Sequence, residues 1–309
     1  MMETCEHIQV NSRFDPTHTT SLRAAFVRDM SRRFGELTHT IRQIVIDDDV
    51  FGLRPLIHQL TVPGRRAFDF PRSADKLTAF EQWLSEQIDR GILQVGTFQQ
   101  VGSAIEQSWM NRYILDTYKR GVMRARYEMK KAGMDVPTIE TISEVDAVMG
   151  MFLHIETVGL LYTRAFFDLK GITTAMDTQI SRVLAQGLAD GDNPLLLARK
   201  LVATIDGTGM GTLGITDTLG RFIPAKRRAE MLARTEIIRA HHVATINEYR
   251  NWAVEGVTVQ AEWMTAGDDR VCIRCADLQG QIFTLDEAEG MLPLHPNCRC
   301  VCLPHIVKE

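Results

Sequence analysis

The sequence predicts a mostly α (α+β) protein. A helical N-terminal region is followed by a helical segment and a small C-terminal α+β unit of zinc-knuckle type. Three observations carry this. Apolar residues recur at three- and four-residue steps through most of the chain before Trp252, as in helices with one buried face. Val257, Val259, Ala261 and Trp263 alternate with polar residues, the period of a strand. Five of the six cysteines fall between Cys272 and Cys302. A chain of 309 residues has room for two domains. The run from Gly133 to Thr138 is the best boundary, giving an N-terminal helical domain (1–137) and a second region (138–309) whose residues 228–309 form the α+β unit.

Composition narrows the function classes without naming one. The chain is 45% apolar and 24% charged, with a net charge of -4, so nothing global points to nucleic acid or membrane. No stretch approaches the ~18 apolar residues of a membrane span. Met1 to Val10 lacks the basic and apolar regions of a signal peptide, so a reducing compartment, the cytoplasm, is expected during synthesis. Cys5 reads as a plain free thiol.

Taken in order, Asp15-Pro16-Thr17 turns the chain, and Thr19, Thr20 or Ser21 caps a long helix. Its apolar face is Leu22, Phe26, Met30, Phe34, Leu37, Ile41 and Ile44. The other face carries Arg23, Arg28, Arg32, Arg33 and Arg42; a solvated face is the simpler reading, contact with DNA phosphate the sharper one. Asp47, Asp48 and Asp49 lack the alternating spacing of a calcium loop and read as a helix end. Ser73 caps a second helix on Leu77, Phe80, Trp83, Leu84 and Ile88, closed by Gly91. A third runs from about Ser103 to Lys131. Its stripe of Trp109, Tyr113, Ile114, Tyr118, Met123 and Tyr127 is interleaved with Arg112, Lys119, Arg120, Arg124 and Arg126. Core packing is the simpler reading of it, base stacking the alternative.

Beyond Ile139, the residues Val145, Val148, Met151, Phe152, Ile155, Leu160 and Leu161 fit a buried helical face. His154 and Glu156 repeat the H-x-E of zinc deaminases, but no P-C-x-x-C follows, so His154 reads as a helix residue with a hydrogen-bond partner. A next stripe, Ile180, Val183, Leu184 and Leu188, ends at Gly191, and Asn193-Pro194 opens another helix. The glycines of 206–220 imitate a phosphate cradle without its Gly-Lys-Ser/Thr, and a flexible loop is the better reading. A helix from Lys226 to Trp252 then places Ala229, Leu232, Ala233, Ile237, Ala240, Val243 and Ala244 on one face. Lys226, Arg227 and Arg228, with Arg28 and Arg32, are candidate nucleic-acid or partner contacts. Arg234 and Glu236 read as structural, bonding backbone of the next strand and loop. An enzymatic reading would instead make Glu236 a general base beside His241 or His242. Gln281-Ile282-Phe283 is a short partner strand.

Cys272 and Cys275 are two residues apart, a spacing that lets two thiolates of one turn reach the same ion. The first choice of ligands is Cys272, Cys275, Cys298 and Cys300, with His295 as the substitute. Loops so poor in apolar bulk are expected to depend on the ion. Four protein ligands close the coordination shell, so the predicted Zn2+ is structural. Disulfides and free thiols in a small core are the alternatives.

Trp263 to Gly280 (W-M-T-A-G-D-D-R-V-C-I-R-C-A-D-L-Q-G) followed by His295 to Cys300 (H-P-N-C-R-C) resembles the C-terminal domain of the phage Mu F-like family of minor head, or head morphogenesis, proteins. A-R-T-E-I-I-R-A (Ala233 to Ala240) and Q-I-S-R-V-L-A-Q-G-L-A-D-G (Gln179 to Gly191) fit the same pattern in order, which makes Arg234, Thr235, Glu236, Trp263 and Asp269 motif residues. Cys302 departs from it. The first 140 residues carry only a looser likeness, chiefly R-F-D-P-T from Arg13. The resemblance implies a structural, non-enzymatic protein of the virion, in the head interior near the portal vertex, acting in procapsid assembly and genome packaging or delivery. Its expected partners are the portal protein, major capsid or scaffold proteins and phage genomic DNA, with no membrane and no small-molecule substrate. The alternative from another class is a zinc-dependent hydrolase or transferase acting on nucleic acid or protein.

Overall fold

The computed structural model describes residues 15–54, 67–94, 108–139, 141–207, 216–217, 220–253 and 257–308. Cys5, Arg13, Phe14, the start of the third helix and most of the 206–220 loop lie outside them. The element order is α1 (Thr20–Arg42), α2 (Ser73–Gln87), α3 (Asn111–Lys131), α4 (Ile142–Met149), α5 (Phe152–Asp190), α6 (Pro194–Asp206), α7 (Ala225–Trp252), β1 (Val257–Met264), α8 (Ile273–Ala276), β2 (Ile282–Phe283), α9 (Leu285–Ala288) and β3 (Val301–Lys308). The mostly helical class with a small antiparallel sheet is as the periodicities predict.

Two compact units divide the chain, and both are discontinuous in sequence. One comprises the segment ending at Ala25 with Arg112–Leu161 and Arg234–Glu309; the other comprises Phe26–Asn111 and Tyr162–Ala233. The divisions fall inside α1, at the first residue of α3, and inside α5 and α7.

In the second unit, Phe26, Met30, Phe34, Leu37 and Ile41 are buried as the helical period requires. α1 continues into a π-helical turn, Gln43–Asp47, and Asp49 ends it by accepting the backbone N–H of Leu53 at 2.8 Å. The arginine face is not uniform. Arg33 is buried, donates to the Gly91 carbonyl at 2.7 Å and lies 4.1 Å from the Trp109 ring centroid, because a guanidinium can keep its bonds while its plane packs on an indole. Helix α2 begins after Arg72, with no side-chain cap from Ser73. It passes through Gly91 as a second π-helical turn and ends on left-handed Gln94. Asn193 caps α6 by accepting from the Leu196 N–H at 3.0 Å, with Pro194 in the first turn.

In the first unit, Tyr113, Ile114 and Tyr118 of α3 are core, whereas Met123 and Tyr127 are exposed. The expected buried face beyond Ile139 divides similarly. Val145 and Leu161 are buried, but Met151, Phe152, Ile155 and Leu160 are exposed. The reason is a break at Gly150, which ends α4 and starts α5 on a new axis, so one stripe on paper becomes two faces in space. No single helix among the described residues is long and apolar enough to cross a membrane; α4 and α5 pass such a test only as a pair bent by 82°.

Helix α7 carries a broader buried surface than the single face expected of it. Glu236, His241, His242, Thr245 and Glu248 are as buried as its alanines and isoleucines. Glu248 accepts from Arg126 Nε at 2.6 Å and Trp252 Nε1 at 3.1 Å, and lies 3.3 Å from His154 Nε2. The Tyr118 hydroxyl meets His154 Nδ1 at 2.9 Å, the partner foreseen for that histidine. Burial alone would raise the Glu248 pKa, but His154 and Arg126 outweigh it and hold the carboxyl below the usual glutamate range. At Gly121, α3 and α7 approach so closely that a Cβ would lie 2.7 Å from both Ala244 Cβ and the His241 carbonyl.

β1 is the central strand, antiparallel to β2 on one side and β3 on the other. β3 has no counterpart among the predicted elements. Its Pro304 disguises it, and a proline is tolerated because β3 is an edge strand.

Two substitutions test this packing. Gly121→Ala should lower stability by about 1–3 kcal/mol despite the helix-propensity gain of about 1 kcal/mol, measured by denaturant unfolding; an unchanged or raised midpoint would refute the close approach. Glu248→Gln should cost roughly 3 kcal/mol at neutral pH. Because the folded pKa is depressed, that contribution is complete above the unfolded value of about 4.3 and is lost as pH falls through the folded one. The gap between wild type and variant should therefore narrow in acid, and a pH-independent gap would contradict the account.

Candidate metal centre

Between β1 and β3 the chain makes two loops, each built to present sulfur inward. After β1, Cys272 starts the single turn α8 and Cys275 follows within it, the Cys275 N–H donating to the Cys272 carbonyl at 3.1 Å. After α9, Leu292, Pro293, Leu294 and His295 lead into a turn at left-handed Asn297, and the Cys298 N–H donates to the His295 carbonyl at 3.1 Å. Cys298 and Cys300 then lead into β3.

The five cysteines among the described residues are free thiols, and four of them with His295 form two overlapping groups whose ligand atoms lie within 4.8 Å of one another: Cys272, Cys275 and His295, and Cys275, Cys298 and Cys300. The structure thus brings the four preferred ligands and the substitute into one neighbourhood, with Cys275 common to both groups. Cys302 belongs to neither. It pairs across the sheet with Trp263, and its carbonyl accepts the Tyr249 hydroxyl at 3.1 Å. The expectation of loops without apolar support needs correcting. Cys275, Cys298, Cys300 and Cys302 are part of a core with Trp263, Tyr249, Ile246, Ala288 and Leu292, onto which Val271, Leu278, Phe283 and Leu285 pack.

The chemistry of the donor set fits a metal ion. His295 Nδ1 faces the Pro296 carbonyl at 2.8 Å and must donate to it, since a carbonyl only accepts. That fixes the tautomer and leaves the Nε2 lone pair toward Cys275 Sγ, 3.2 Å away. Metal-bound histidines are oriented in this way by a backbone carbonyl. Among the thiols, hydrogen bonding from Cys300 draws the Cys298 pKa down, while burial pushes Cys275 up and the bond to Cys298 pushes Cys300 up. A dication would favour the thiolate at each of these ligands and release their protons. Burial, the largest influence on Cys302, pushes its pKa up to about 12, consistent with a core thiol.

The surrounding shell is held by charge. Asp268 accepts from Arg299 Nη1 at 2.7 Å and from Arg270 Nη2 at 2.9 Å, and Arg299 first of all holds its carboxyl well below the carboxylate range. The motif aspartate, Asp269, is exposed, and the ion pair is made by its neighbour. No sequence signal distinguishes the two, because pairing depends on which one the chain turns toward Arg299. Thr235 accepts the Asn297 N–H at 3.3 Å and Arg234 Nη1 lies 3.4 Å from Asn297 Oδ1, so both bond the ligand loop. Glu236 pairs with Arg239 at 3.1 Å. His242 Nε2 donates to the Ala288 carbonyl at 2.9 Å, and burial holds its pKa down to about 4. Trp263 is fully buried in β1. Of the candidate contact residues, Arg28 and Arg227 are exposed, Lys226 is half-buried, Arg32 pairs with Asp29 and Glu36, and Arg228 is buried.

With this geometry in place, comparison with known proteins is decisive on one point. Residues 178–303 match the phage Mu protein F like family. The Mu F-like region starts within α5, takes in α6, α7 and β1, and ends on β3, so it contains all five clustered cysteines, His295, Arg234, Thr235, Glu236 and Trp263. The family is one of phage head morphogenesis proteins. No curated protein and no solved structure matches the chain.

Metal content per chain separates the roles of the thiols. Cys275→Ser should abolish metal retention, because both ligand groups lose a member, whereas Cys302→Ser should leave it unchanged. The reverse ranking by elemental analysis would show the assignment to be wrong.

Proposed function

We propose that the protein is a structural minor head protein of a tailed phage, associated with the portal vertex and acting in procapsid assembly and genome packaging or delivery. The match of residues 178–303 to the phage Mu protein F like family supports this reading. In it the Cys/His centre holds one structural Zn2+, which ties α8 and the His295–Cys300 loop to the sheet. The ligand groups consist of cysteine and histidine only, the donor set of closed structural zinc sites. Partners are the portal protein and the major capsid or scaffold proteins. Met151, Phe152, Ile155 and Leu160 offer them an exposed apolar surface of the kind that protein contacts cover.

Co-expression with portal, scaffold and major capsid proteins tests the reading. The protein should co-sediment with procapsids, and it should be lost from particles assembled without portal. Incorporation that is indifferent to the portal would refute the vertex assignment. Purified protein should carry about one zinc per chain and melt at lower temperature after a strong chelator.

A further inference from the structure

Helix α3 has a second face that the core does not use. Arg120, Met123, Arg124, Tyr127, Lys130 and Lys131 succeed one another at helical spacing and line a cavity of about 860 Å³, to which α7 contributes His241. The face is strongly basic. Arg124 is paired with Glu128, while Arg120, Lys130 and Lys131 have no ion-pair partner among the described residues. Asp15, whose charge reaches His241, is already engaged by Arg23, Thr17 and Thr20. His241 itself is 2% exposed, and burial, then His242 and Arg124, hold its pKa down to about 3, so it meets a ligand as a neutral ring.

In the middle of these cations stands an aromatic ring with no core role. Tyr127 is 53% exposed, with the Arg124 guanidinium 5.5 Å from its centroid. Cations alone would suit any polyanion. Cations flanking an open aromatic platform suit a strand that carries phosphates and planar bases together. From Arg120 to Lys131 the helix rises about 16 Å, enough for several consecutive phosphates.

We propose that this cavity is a nucleic-acid site that takes a single strand, its phosphates on Arg120, Lys130 and Lys131 and one unpaired base stacked on Tyr127. It stands on the geometry of α3 and goes beyond the head-protein reading, surviving or failing independently of it.

The test is fluorescence anisotropy of a labelled oligo-dT of roughly 15 nucleotides with the full-length chain across a salt series. Wild type should bind with affinity that falls steeply with salt. Arg120→Glu combined with Lys131→Glu should abolish binding and flatten the salt dependence. Tyr127→Ala should weaken oligo-dT roughly tenfold or more while leaving a blunt duplex of equal length unaffected. All three positions are exposed, and unchanged melting temperatures will show that the variants fold. No binding by wild type, or binding indifferent to the charge reversal, overturns the site. So does competition by polyglutamate or inorganic phosphate as effective as by unlabelled oligo-dT, or loss on charge reversal without loss in Tyr127→Ala, since each would mark a general anion site.

Discussion

Helix α7 is buried along most of its length, and a helix surrounded by protein has to satisfy its polar side chains inside the fold. That constraint organises the first unit. Glu248 cannot reach water, so Arg126 of α3 and His154 of α5 come to it, and three helices are fixed in register by one carboxylate. Further along the same helix, His242 bonds the Ala288 carbonyl, Tyr249 bonds the Cys302 carbonyl and Thr235 bonds the Asn297 N–H. These bonds tie α9, the start of β3 and the His295–Cys300 loop to α7. A buried ion network is weak evidence for net stability, but it sets one arrangement against its competitors, since any shift strands a charge.

The thiol centre combines two supports that are usually alternatives. Small metal-bound units tend to lack a core, and cores tend to lack metal. Here the cysteines lie at the edge of an apolar cluster built on Trp263 and Leu292, while the Asp268–Arg299 pair and the His295–Pro296 contact hold their orientation from outside. A dication in such a place would find its ligands already gathered and one of them, Cys298, with its pKa drawn below the usual cysteine range. Its charge would then offset the cost of burying the rest.

Helix α3 shows how one element serves two purposes. Tyr113, Ile114 and Tyr118 give the helix its packing, whereas its later turns carry Arg120, Tyr127, Lys130 and Lys131 into open space. In one dimension these make a single aromatic and basic stripe. The division is set at Gly121, where the absence of a side chain lets α7 press against the backbone and fixes which side of α3 is covered.

Much of this was legible in the residues. Helical periods located α1, α2, α6 and α7, alternation located β1, Asn193-Pro194 announced its cap, and the Cys-x-x-Cys with the later His-Pro-Asn-Cys-Arg-Cys marked both the thiol centre and the family, because these signals are local and spacing alone encodes them. Other features were not. Arg33 reads as solvated in sequence, but Trp109 and Gly91 receive it; Met151 to Leu160 read as buried, but the break at Gly150 turns them outward; and Val301–Lys308, which matches no predicted element, is a strand because β1 pairs with it. Asp268 and Asp269 are adjacent and chemically identical, and only the approach of Arg299, just before β3, makes them differ. The sequence by itself determined which segments coil and which residues gather as ligands. Tertiary structure alone decided which charges are buried and which apolar faces stay open, because burial depends on what a distant part of the chain brings to the other side.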